Sequence, residues 1–152
     1  MNYENKLLSL GISLPDAPAP AANYVPYVVV GDMVYISGQI SGDANGRING
    51  KLGKNFSVEE GQLAAKTCGI NLIAQLKSAC GGDLDRLVQV VKLGGFVNCT
   101  SDFEDHPKVI NGASDLMVEV FGEAGKHARA AVGSSSLPLG VAVEVEGIFQ
   151  IK

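Results

Sequence analysis

The sequence predicts an α+β two-layer sandwich, a mixed sheet with two helices packed on one face, in the order α-ββ(β)-α-β-α-ββ. Three observations point there. β-branched and aromatic runs are split by Gly-Asp, Asn-Gly and Leu-Pro-Leu-Gly turn signals, as hairpins are. Two longer segments space their apolar residues three to four apart and open on capping-box patterns, as amphipathic helices do. The final run alternates Val with Ala or Glu, so a strand there has one apolar and one polar face.

In chain order, residues 3–10 read as a short helix with Leu7, Leu8 and Leu10 on its apolar side and Gly11 as its stop. Residues 14–23 carry Pro15, Pro18 and Pro20, which favour extended backbone, so an arm follows the helix. Residues 28–30 and 33–36, parted by Gly31-Asp32, form a strand–turn–strand unit, and Gly42, Gly46, Gly50 and Gly53 mark turns around a weak further strand. The capping box Ser57–Glu60 opens a helix to about Ala79 that buries Leu63, Cys68, Leu72, Ile73 and Leu76 and stops at Gly81-Gly82. Residues 87–97 read as a strand in which Gly94-Gly95 marks a bulge or a close backbone contact. A second box, Ser101–Glu104, precedes Pro107 and a helix carrying Val109, Ile110, Leu116, Met117, Val120 and Phe121, which ends near Gly122 or Gly125. Residues 128–135 and 141–151 close the chain as a hairpin around Pro138-Leu139-Gly140.

Composition bounds the function. The 152 residues make one domain, 1–152, with 1–23 as an N-terminal extension. Apolar residues are 46% and net charge is only −4, which excludes a disordered chain. No apolar run approaches the roughly 18 residues of a membrane span, and the N-terminus lacks a secretory h-region, so the expected location is cytoplasmic. Three cysteines without a CxxC and two isolated histidines argue against a disulfide framework and against a metal site. A pI near 5.1 without any Lys/Arg run disfavours nucleic acid as a partner. Charged residues are 18% against a usual value of about 25%, too few to cover a monomer, so part of the surface is expected to face another subunit.

The chemistry is sharpest near the C-terminus. Arg129 stands in an otherwise uncharged strand and Glu144 in the next, and the turn between them is expected to bring the two side by side. Either they form a structural ion pair, or the arginine fork is left for a substrate carboxylate, which a planar bidentate donor suits.

The stretch ARAAVGSSSLPLGVAVEVEGI, with VYISGQI and VINGASDLMVEVFG upstream, resembles the RidA (YjgF-like, L-PSP endoribonuclease-like) family over residues 20–151. The resemblance implies a chorismate-mutase-like fold assembled as a homotrimer with clefts between subunits. It implies hydrolytic deamination of reactive 2-imino acids or their enamine tautomers to 2-keto acids and ammonia, with no metal or organic cofactor. Carried onto this chain, Arg129 matches the carboxylate-binding arginine and Glu144 the carboxylate that holds the attacking water. Ser37, Asn111 and Ala131 match further cleft positions. Tyr24 is favoured over Tyr27 as the cleft tyrosine, on gapless counting back from Gly31. A non-catalytic binder of small carboxylates is the alternative, with an endoribonuclease or translation inhibitor behind it. The chain departs from the family pattern at His127, where a small residue or proline is usual, and at Ala131, where cysteine is frequent. It also carries the N-terminal arm and one added residue between Asn111 and Arg129.

Overall fold

The computed structural model describes residues 2–17 and 23–152; the Pro18 and Pro20 part of the expected arm lies outside the described residues. The first helix, α1 (Tyr3–Ser9), starts where Asn2 accepts a hydrogen bond from the Asn5 amide and stops before Gly11, whose φ of +71° a larger residue would resist. Leu7 is buried, but Leu8 is 73% exposed, contrary to the expected apolar stripe. A helix of two turns turns only one narrow face to its neighbours, and here that face touches α3.

Strands β1 (Tyr27–Val30) and β2 (Met33–Ile40) pair antiparallel across Gly31-Asp32. The weak strand is a small hairpin, β3 (Gly42–Asp43) with β4 (Gly46–Arg47). The capping box at Ser57 forms as expected: the Ser57 hydroxyl accepts from the Glu60 amide while the Glu60 carboxylate accepts from the Ser57 amide. It opens α2 (Val58–Ala79), whose buried stripe is Gly61, Ala64, Ala65, Cys68, Leu72 and Leu76. Leu63 is 64% exposed instead, because it lies about 100° around the helix from Ala64, off that stripe.

β5 (Leu87–Asn98) follows, and its two irregularities fall before Lys92 rather than at the paired glycines. Gly95 is the close contact: a Cβ there would lie 2.6 Å from Ile110 Cδ1. Helix α3 (His106–Phe121) then begins at Asp105, not at the expected box. Pro107 lacks an N–H and is suited to the first turn, so it sets the start. Ser101 and Asp102 sit instead in a turn where the Thr100 hydroxyl donates to Asp102.

The largest departure concerns β6 (Ala128–Ser134) and β7 (Val143–Ile151). They do not form a hairpin, because the sheet order is β1-β2-β7-β5-β6. β5 stands between them, antiparallel to β7 and parallel to β6. A parallel β5–β6 pair needs a crossover, and α3 supplies it. Helices α2 and α3 cover one face of the sheet, over a core that includes Leu72, Leu76, Leu93, Ile110, Met117 and Phe149. Along β7, Val143, Val145 and Phe149 are buried on that face, and Glu144 and Glu146 point to the other. Among the described residues that second face has no covering layer, and Val28, Tyr35 and Val132 are each nearly half exposed. No helix among the described residues is long and apolar enough to cross a membrane.

Candidate functional site

The sequence-derived site residues fall into two groups. The first lies at the free edge of β6. Arg129 is in register with the buried Leu93 of β5, so its side chain leaves the sheet on the helix side and meets α3. There its Nη1 donates to Asn111 Oδ1 at 2.8 Å and to Ser114 Oγ at 3.1 Å. Asn111 and Ser114 are one helical turn apart and so share a face. Both Nη1 protons are thereby used, while Nε and Nη2, the edge that grips a carboxylate side-on, have no partner among the described residues. Ala131, two residues on, lies on the same side and packs against the core. His127 touches this group as well: Nε2 is 2.9 Å from Ser114 Oγ, and Nδ1 is 2.6 Å from the Gly125 carbonyl.

The second group lies on the uncovered face. Glu144 is in register with Ile40 of β2 and Phe96 of β5. Its carboxylate lies over Gly38, at the irregularity between Ile36 and Gln39; a Cβ on residue 38 would collide with Glu144 Oε2. Partial burial pushes the Glu144 carboxyl above the ordinary range, and the negative charge of Glu146 pushes it the same way. No described residue donates a hydrogen bond to it. Ser37, beside Gly38, spends its proton on the Val25 carbonyl at 3.0 Å, while its amide donates to Pro26. Tyr24 precedes that contact and is 51% exposed. Tyr27, the other candidate, turns to the helix side, where its hydroxyl is 3.1 Å from Ser78 of α2.

Arg129 and Glu144 are therefore not a structural pair. A whole strand separates β6 from β7, and the two side chains leave the sheet on opposite faces. Among the described residues Arg129 has no carboxylate partner. Ser114 was missed by the sequence reading. Its signal was the spacing to Asn111, which puts two polar side chains on one face of a helix otherwise read for its apolar positions.

Residues 4–148 match the family described as "YjgF/chorismate_mutase-like, putative endoribonuclease". Protein TCP17 of Trypanosoma cruzi is 48% identical over 147 residues, which cover 95% of this chain and 91% of that protein. A 2-iminobutanoate/2-iminopropanoate deaminase of Dermatophagoides farinae is 32% identical, covering 93% of this chain and 95% of that enzyme. The crystal structure of the Agrobacterium tumefaciens protein Atu1372 superposes with a TM-score of 0.92 at 42% identity, over 99% of this chain and 92% of the other. The layered sheet, its strand order and these matches agree: the chain belongs to the YjgF/chorismate mutase-like (RidA) family.

Proposed function

We propose that the protein hydrolyses reactive 2-imino acids, or their enamine tautomers, to 2-keto acids and ammonia, in clefts between the copies of a homotrimer. The observation that carries the reading is the Arg129 guanidinium, fixed through Nη1 to α3 and, among the described residues, unpartnered along its Nε–Nη2 edge. A small carboxylate fits that edge with two parallel charge-assisted hydrogen bonds. Glu144 supplies what Arg129 lacks, an acceptor for the protons of water. Opposite faces keep the two apart within one copy, so they serve one substrate only if Arg129 of one copy meets Glu144 of another. The uncovered apolar face around Val28, Tyr35 and Val132 offers the contact surface.

The chemistry asks little of such a cleft. A protonated imine conjugated to a carboxylate is already electrophilic at C2. Arg129 binds the carboxylate and fixes where C2 lies. Glu144, as carboxylate, accepts a proton as water adds to C2, and the proton then passes to the amine nitrogen of the carbinolamine. As that intermediate collapses to the keto acid, its C2 hydroxyl gives its proton back to the Glu144 carboxylate, ammonia leaves, and the proton passes from Glu144 to the departing ammonia or to solvent. Holding the two reactants together is the main contribution, with proton transfer added to it. Asn111 acts by steadying Arg129, and Ser37 and Tyr24 flank the Glu144 side.

The test couples the purified protein to an imine-generating dehydratase and follows keto-acid release. Native protein is expected to accelerate it. Arg129→Ala is expected to lose roughly 10- to 100-fold in kcat/KM, as a charge-assisted contact of about 1.5–3 kcal/mol implies. No acceleration by native protein, with Arg129→Ala indistinguishable, overturns the reading. Calorimetric binding of 2-ketobutanoate without turnover would favour a carboxylate-binding protein instead.

A further inference from the structure

We infer that Ser114 and His127 are positioning residues that hold the Arg129 guanidinium correctly turned for a substrate carboxylate without setting a competing negative charge beside it; the inference rests on the reading of Arg129 given above. The Gly125 carbonyl can only accept, so His127 Nδ1, 2.6 Å away, carries a proton. In the neutral ring Nε2 is then an acceptor, and the atom 2.9 Å from it is Ser114 Oγ. Ser114 accepts from Arg129 Nη1 at 3.1 Å, so its own proton must be given elsewhere, and His127 Nε2 is placed to take it. The chain runs one way: guanidinium to serine, serine to imidazole, imidazole to backbone carbonyl.

The far end of this chain is stiff. A Cβ on residue 125 would collide with the Met117 carbonyl and come within 3.0 Å of Val118 Cα, so the Gly125 backbone lies against the last turns of α3. The near end also uses α3, through Ser114 and Asn111. One helix thus fixes the guanidinium at Nη1 and, through Gly125 and His127, fixes the serine that holds it.

Charge distinguishes this arrangement from the commoner way of orienting an arginine. A carboxylate at the Ser114 position would hold Nη1 as well, but it would neutralise the guanidinium and compete with the substrate. Apart from Arg129 itself, the nearest charged residues to His127 along the chain, Lys126 and Glu123, pair with each other at 2.8 Å. No carboxylate takes part in the relay, so nothing in it competes with a substrate carboxylate for the charge of Arg129. His127 is also one of the positions at which this chain departs from its family's pattern, and two residues before Arg129 it reaches the same side of the chain.

The test uses the full-length protein, with Ser114→Ala, His127→Ala, His127→Gln and the Ser114→Ala/His127→Ala double variant. Each is assayed for keto-acid release and for calorimetric binding of 2-ketobutanoate. The expected result is a rise in KM and in the 2-ketobutanoate Kd of about tenfold for each alanine variant, with kcat within about twofold. The double variant is expected to be no worse than the poorer single, because the two act in series. The amide of His127→Gln offers Ser114 an acceptor at the Nε2 position and should recover part of the loss. A fall in kcat at unchanged KM would make His127 a proton-transfer group and overturn the assignment, as would native binding by both alanine variants while Arg129→Ala binds weakly. If native protein binds no 2-keto acid and Arg129→Ala is equally silent, it is the parent reading that fails. Thermal melts on the same samples separate a fold lost from a grip lost.

Discussion

The β6 edge and the centre of the uncovered sheet face are built in opposite ways. At the edge, Arg129 is surrounded by polar partners, Asn111, Ser114 and His127, and still has donors to spare. On the face, Glu144 is half-buried beside another carboxylate and has acceptors without a described donor. One region is over-supplied with protons to give and the other with lone pairs to fill. Neither is a complete site, and each lacks what the other has. The difference supports the proposal that the chemistry of this chain lies between copies rather than within one.

Mixing variants attacks that proposal most directly. Arg129→Ala is expected to lose roughly 10- to 100-fold in kcat/KM, and Glu144→Gln roughly 100-fold or more, where the proton acceptor is lost. Unfolded together in equal amounts and refolded, they should regain about one quarter of native activity, because that share of clefts draws both intact residues from different copies. Recovery of nothing above the separate variants would place both residues in the cleft of a single copy. It would also contradict the opposite faces on which they lie.

Much of this could be seen in the sequence because it is local. The Ser57 capping box, the stop at Gly11, the turn at Gly31 and the alternation along β7 each depend on residues within a few positions of one another, and each appears as expected. What is not local was hidden. The Pro138–Gly140 turn suggested a hairpin, but pairing is decided by which strands share the most buried surface, and β5 takes the place between β6 and β7. Ser101–Glu104 has the letters of a cap, yet Pro107 overrides them. The sequence could single out Arg129 and Glu144 by their isolation in apolar strands, but not the face each one leaves by. Ser114 escaped notice because an interior polar helix residue is usually just solvated.

Gly38 offers a finer probe of the carboxylate side alone. The atom that a Cβ would strike is Glu144 Oε2, the far end of a flexible side chain, so the clash can be relieved by moving the carboxylate rather than the backbone. Gly38→Ala is therefore expected to melt close to native while losing on the order of 10- to 100-fold in kcat, as a displacement of about 1 Å can do. KM should hardly change, since the Arg129 edge is untouched. That pattern is the complement of the one expected for Ser114→Ala. If Gly38→Ala raised KM and left kcat alone, the assignment of carboxylate binding to one region and proton transfer to the other would be reversed.

The smallest effect is one of stability, and its sign follows from the burial of Glu144. Its folded pKa lies above its unfolded value, so between the two the folded state binds more protons than the unfolded state. The contribution is fully present below the unfolded pKa and is lost as pH rises through the folded one. Glu144→Gln cannot ionise, so it should match native protein near pH 4 and melt higher at pH 8. The gain should be under about 1 kcal/mol, because the carboxylate is half exposed and solvent screens it. In the assembled protein a guanidinium from the neighbouring copy would relieve part of this cost. The advantage of Glu144→Gln at pH 8 should then grow when Arg129→Ala is added to both proteins being compared. An advantage of the same size in both backgrounds would mean that the two charges never approach, and would leave the donor edge and the acceptor face as separate features of one fold.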